Sequence, residues 1–265
     1  LRASDHRAIL HLIHECRDRG DDPHVWRAHL LAALGKLVGA DIAMGGEMAG
    51  IAAGRPVHLG AVEHGWENGF DKSYWEEGVR EFAAGRVADP AFAHYLRAVA
   101  GTRRGASLTR VLGERGWRAS PTYQLMFDPV RLDANLYAFH PVPGAADECD
   151  GLILARAARR RPFSARETAF VNEAQLLLSS SVGGPLARFA EPCPTALSPR
   201  AREVLRCLLE GDSDKQVAAR LRLSPATVNE YTKRIYRHFR VTSRAELLAR
   251  WVRRGWGAGP WAADR

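Results

Sequence analysis

The chain has 265 residues, 46% hydrophobic and 26% charged, with a formal net charge of +8. That length suits about two domains with a sizeable core, and the balance of apolar and charged residues excludes wholesale disorder. No apolar run approaches the ~18 residues of a membrane span, and Leu1 to Gly20 alternates apolar with charged residues where a secretion signal needs an unbroken apolar core, so a cytoplasmic protein without membrane contact is expected.

Two amphipathic helices are predicted first, at about 4–18 and 23–38, the second started by Asp22 and Pro23. Asp21 and Asp22 form an acidic pair like that of phosphorylation receivers, but they precede a helix instead of ending a buried strand, and capping accounts for them. His11, His14 and Cys16 share the first helix without further ligand spacing, so core or surface roles are expected there.

Strand patterns follow at "ADIAMGGEM" and "RPVHLGAVEHG", then helices near 71–84 and 89–99. "MGGEMAG" lacks the Lys-Ser/Thr of a phosphate loop and reads as a turn after a strand. The aromatics Trp66, Phe70, Tyr74 and Trp75 are candidates for lining a small-molecule cavity, with plain aromatic core as the alternative. "NLYAFHPV" and "GLILARAA" predict a hairpin, and a long helix from Ser164 toward Phe189 closes the segment as a candidate dimerisation element. Strand runs separated by helices, with helices at both ends, indicate an α+β fold.

The four cysteines are scattered and are expected to be buried reduced thiols. With neither a nucleophile elbow nor a paired-carboxylate signature, no enzyme, cofactor or metal is expected. A catalytic or ligand-sequestering N-terminal domain carrying a vestigial basic domain is the competing reading.

"AEPCPTALSP" places three prolines in ten residues and reads as a linker, because proline lacks the amide donor of helix and sheet. The division is residues 1–190, a linker at 191–196, a basic unit at 197–255 and a tail at 256–265. Residues 197–254 hold fourteen Lys/Arg against six Asp/Glu, whereas residues 1–196 hold twenty-three of each. The whole positive surplus thus sits in the last quarter of the chain, as in a polyanion-binding module attached to a neutral domain.

Four helices are predicted in that unit. Ser198-Pro199 caps the first, over Val204, Leu205, Leu208 and Leu209, with Gly211 as its stop. A Ser213/Gln216 capping box opens the second, and Ser224-Pro225 the third after a tight turn. Val228, Thr232, Ile235 and Phe239 form the third helix's buried stripe, leaving Asn229, Glu230, Lys233 and Arg237 outward. A Ser243/Glu246 box starts the fourth, expected to bury Leu248 and Val252. The arrangement is a helix-turn-helix, whose second helix fits the DNA major groove.

Leu197, Arg200, Glu203, Val204, Leu205, Gly211, Lys215, Ala218, Leu221, Ser224, Thr227, Val228, Ile235, Tyr236, Val241, Ser243 and Arg244 stand at the spacing of LuxR-type (NarL- or FixJ-type) DNA-binding domains, which the segment resembles over nearly its whole length. The resemblance implies transcriptional regulation by a dimer on two half-sites of double-stranded DNA, with RNA polymerase as a further partner. It assigns Asn229, Glu230 and Lys233 to base edges and Lys215, Ser224, Thr227, Arg234, Arg237 and His238 to phosphates. Departures are Ala201 where relatives carry Glu, Asn229 where they carry a basic residue, Tyr231 for His, and Arg240 for Gly or Asn. "RPFSARETAFVNEAQLLLSSSV" and the element order resemble GAF-like domains, which share with PAS domains a sheet flanked by helices and take small-molecule effectors. An autoinducer-binding domain is the rival, echoed by Trp66, Tyr74, Trp75 and the Asp89-Pro90 pair.

Overall fold

The structure, a computed structural model, describes residues 1–50, 57–90, 92–95, 108–145 and 147–254; the 256–265 tail and part of the helix expected at 89–99 fall outside them. Two compact units are present: residues 1–16 with 27–182, and residues 17–26 with 183 onward.

The first unit contains α1 (Ala3–Asp18) and α2 (Pro23–Val38), whose ends at residues 17–26 count with the second unit. β1 (Ile42–Ala49), β2 (Val57–His64), α3 (Lys72–Ala83), α4 (Leu108–Ala119), β3 (Leu132–Pro141), β4 (Glu148–Ala157) and α5 (Ala165–Ser179) complete it. The strands make one antiparallel sheet in the order β2-β1-β4-β3. Period-two alternation sorts its side chains. Ile42, Met44, Met48, Tyr137, Phe139, Cys149 and Ala155 join Trp75 of α3, Trp117 of α4 and a π-helical turn at Tyr123–Phe127 in an aromatic-rich core. The intervening positions hold Ala43, Glu47, Asp150, Leu152 and Leu154, all buried.

Three expectations are corrected here. "MGGEMAG" is strand, not turn, because most of it lies in β1 paired on both edges. Gly46 is required by that pairing, since a Cβ would stand 2.4 Å from the Gly60 carbonyl oxygen. The helix beginning after Ser164 stops at Ser179 instead of running to Phe189. Ser179 and Ser180 donate their hydroxyls to the Leu176 and Leu177 carbonyls, Gly183 takes φ 82°, and Pro185 follows. Asp22 does cap α2, accepting from the His24 and Val25 amides at 2.7 and 3.3 Å, but Asp21 is buried and caps nothing. Burial raises its carboxyl to about 6, and Oδ2 has no hydrogen-bond partner.

The second unit contains α6 (Pro199–Leu209), α7 (Asp214–Leu221), α8 (Pro225–Phe239) and α9 (Arg244–Arg254). Ser198 caps α6 at the Ala201 amide although Ala201 itself offers no reciprocal side chain. The capping box opens α7, and the Ser224 hydroxyl accepts from the Thr227 amide at 3.1 Å to open α8. Val204, Leu205, Leu208, Val217, Val228, Ile235 and Phe239 form the core.

Two arginines of the family pattern fasten these helices instead of facing outward. Arg200 donates to Glu203 and to the Leu221 carbonyl, while Arg244 donates to the carbonyls of Leu208, in the last turn of α6, and of Asp212, just before α7. α9 buries Leu247 and Trp251 and leaves Val252 78% exposed, a one-residue correction to its expected face. Trp251 meets Phe239 edge-on at 6.0 Å, which sets that register. Arg240 adopts a left-handed helix end, φ 51°, a conformation that glycine takes without steric cost.

Candidate nucleic-acid interface

α8 is built with two sides. Val228, Ile235 and Phe239 are fully buried and Thr232 is 9% exposed, so the helix is anchored along one stripe. Asn229, Glu230, Lys233, Arg234 and Arg237 are exposed on the remainder. A Lys233–Glu230 ion pair of 3.2 Å links two of the predicted base readers. The Arg234 guanidinium lies over the Tyr231 ring, 6.0 Å from its centroid, at the outer reach of a cation–π contact.

Lys215 is exposed in the first turn of α7, and Ser224 and Thr227 stand at the start of α8 with their hydroxyls 2.8 Å apart. A helix N-terminus carries unpaired amides and partial positive charge, so the start of α8 suits an anion. His238, half-buried, has its imidazole engaged within the unit: Nε2 donates to the Cys193 carbonyl at 2.8 Å.

Arg222 and Arg240 are exposed and carry no assignment from the sequence. Arg222 sits in the tight turn with φ 53°, and Arg240 just past α8. A basic residue at a helix end was the available signal. Arg220 is equally exposed but engaged, bonded to Glu210 and Asp212, which raise its guanidinium above the ordinary value.

In the first unit the cavity candidates separate. Trp75 is buried, Trp66 and Phe70 pack partly buried against the same core, and Tyr74 is 45% exposed outside it. Trp66 and Trp75 have centroids 6.0 Å apart. His11 and His14 are exposed while Cys16 is buried, so α1 does not bring them together. Among the described residues no group of three His, Cys, Asp or Glu is placed to hold a metal ion, and no helix is long and apolar enough to cross a membrane.

The family model for bacterial regulatory proteins of the luxR family matches residues 195–251. The probable HTH-type transcriptional regulator GfsR of Streptomyces halstedii is 37% identical over 71 residues, which is 26% of this chain and 29% of that protein. The probable transcriptional regulatory protein NarL of Mycobacterium tuberculosis is 34% identical over 76 residues, 29% of this chain and 35% of that protein. The chain thus spans about a third of the length of the curated relatives it matches. Among solved structures, Escherichia coli SdiA is similar at 14% identity with a TM-score of 0.36, over 86% of this chain and 89% of that one. With the outward basic face, the capped tight turn and this match in the same residues, residues 195–251 are a luxR-family helix-turn-helix DNA-binding domain.

Proposed function

We propose that the protein is a sequence-specific transcriptional regulator that places α8 in the major groove of double-stranded DNA. The observation that carries this reading is the division of α8 into a stripe buried to 9% exposure or less and an outward face bearing Asn229, Glu230, Lys233 and Arg237. That helix belongs to the segment holding the chain's whole charge surplus. Asn pairs with adenine and Glu accepts from the cytosine amino group, while Lys reaches guanine or phosphate. Lys215, Ser224, Thr227, Arg234 and Arg237 supply phosphate attraction. Binding as a homodimer on two half-sites in the cytoplasm, with RNA polymerase downstream, completes the reading.

The N-terminal unit is read as the sensory part, of GAF-like or autoinducer-binding type. Its aromatic core around Trp66, Phe70 and Trp75 supports a small apolar effector, whose binding would set the spacing of two recognition helices. Selection of binding sites from random duplex DNA, with and without cell extract, tests the proposal. Enrichment of a two-part site is expected, and recovery of no preferred sequence in either condition would refute sequence-specific regulation.

A further inference from the structure

Cys193 stands between Pro192 and Pro194. A residue before proline is held extended, and Cys193 has φ −113° and ψ 155°. Neither proline has an N–H, so carbonyls are the main bonding groups this stretch offers. The Cys193 carbonyl accepts the Nε2–H of His238, in the last turn of α8, at 2.8 Å. The imidazole also meets the Phe239 ring edge-on at 4.8 Å, which fixes its plane.

The neighbouring residues are held as well. Pro194 is buried and begins a single turn at Pro194–Ala196, and Cys193 and Leu197 pack against the core that contains Ile235 and Phe239. Upstream, Ala187 is buried in that same core. Its amide donates to the Gly20 carbonyl at 2.6 Å, and its carbonyl accepts from the Trp26 indole at 2.9 Å. Phe189 meets His24 edge-on at 5.0 Å, and Glu191 pairs with Arg254. A proline-rich linker would otherwise be expected to act as a semi-rigid spacer exposed to water.

We infer that residues 187–197 form a fixed strap of the DNA-binding unit and that His238 is the positioning residue fastening it to the recognition helix. The His238 imidazole is committed to the Cys193 carbonyl and does not serve as a phosphate contact. Any displacement of the strap is thereby coupled to the last turn of α8. The claim about phosphate rests on the proposed DNA-binding function; the strap itself does not.

The test uses the full chain, with hydrogen exchange at residues 193–197 and the salt dependence of affinity for a random-sequence duplex as paired readouts. His238→Ala is expected to speed exchange in the strap about tenfold, the worth of one hydrogen bond, with the salt slope unchanged. His238→Gln, whose amide can donate to the same carbonyl, is expected to restore exchange toward wild type. Should His238→Ala not fold, His238→Leu keeps the volume without the donor and serves in its place. Unchanged strap exchange in the donorless variant overturns the inference, as does a salt slope lowered by about one in both variants, the mark of a lost phosphate contact. If the wild type binds no duplex, the DNA-binding reading falls, and exchange alone decides the strap.

Discussion

Arg27 of α2 and Glu47 of β1 meet 2.7 Å apart with side chains 1% and 0% exposed, and the same guanidinium nitrogen reaches Asp150 of β4 at 2.6 Å. Glu47 and Asp150 are register partners on adjacent strands, so this cation separates two carboxylates that would otherwise repel inside the unit. Gln175 of α5 donates to the remaining Asp150 oxygen at 2.7 Å, tying a second helix to the row. Arg27→Leu is expected to destabilise the N-terminal unit by about 3–5 kcal/mol, because both carboxylates lose their counter-charge while staying buried. Urea unfolding followed by far-ultraviolet dichroism measures this, and a loss below about 1 kcal/mol would show that the row is not held as described.

Asp21 predicts a pH effect of definite sign. Its folded-state carboxyl, raised by burial to about 6 from 3.8, binds a proton more tightly than in the unfolded chain. Stability is therefore highest below the unfolded value and declines as pH rises through about 6. Asp21→Asn is expected to flatten that slope and to raise stability at neutral pH by up to ~3 kcal/mol. Melting temperatures of the two proteins at several pH values between 4 and 8 provide the comparison, and parallel curves would contradict the assignment.

The outward residues of α7 and α8 divide by role. Lys215→Ala and Arg237→Ala are expected to weaken binding to all duplexes and to lower the salt slope by about one each. Asn229→Ala and Glu230→Ala are expected instead to relax the base preference at one position, at about 1–3 kcal/mol for the preferred base. Glu230→Ala also releases Lys233 from its 3.2 Å ion pair, so non-specific affinity should rise with that change. Fluorescence anisotropy on selected and scrambled duplexes over a salt series separates the classes; identical behaviour of all four variants would remove the distinction.

Arg244 belongs to the family pattern, and its side chain is engaged inside the second unit. Its guanidinium donates to the carbonyls of Leu208, in the last turn of α6, and of Asp212, in the connection to α7, and so ties the start of α9 to both. Arg244→Ala is expected to cost the second unit about 1.5–3 kcal/mol while leaving the salt slope of the folded fraction intact. A variant with wild-type stability and a lower slope would reverse that assignment and make Arg244 a phosphate contact.

The DNA-binding unit was legible almost residue by residue, because its signals lie within one helical turn. Ser198, Ser213 and Ser224 cap the helices they were expected to cap, and Val228, Thr232, Ile235 and Phe239 are buried together. α9 was misplaced by one residue because Leu247, Leu248, Trp251 and Val252 offer two adjacent apolar stripes, and the core that includes Phe239 takes up Leu247 and Trp251. In the N-terminal unit the strands were recognisable, yet the glycines of β1 resembled a turn until β2 and β4 closed over them. α4 was missed because Gly113 and Gly116 interrupt its pattern; Gly113 has φ 71° inside the element.

By itself the sequence determined the helix-turn-helix, its caps, the outward residues of α8 and the concentration of positive charge beside them, all set by chemistry between residues a few positions apart. Tertiary structure decided the roles of residues whose partners are remote. Arg27 lies 20 residues from Glu47 and 123 from Asp150, and His238 lies 45 from Cys193. No local periodicity encodes such pairings, because burial and hydrogen-bond demand act on whichever groups the packed elements bring together. The bond from His238 to the Cys193 carbonyl is of this kind, since no feature of α8 alone announces it.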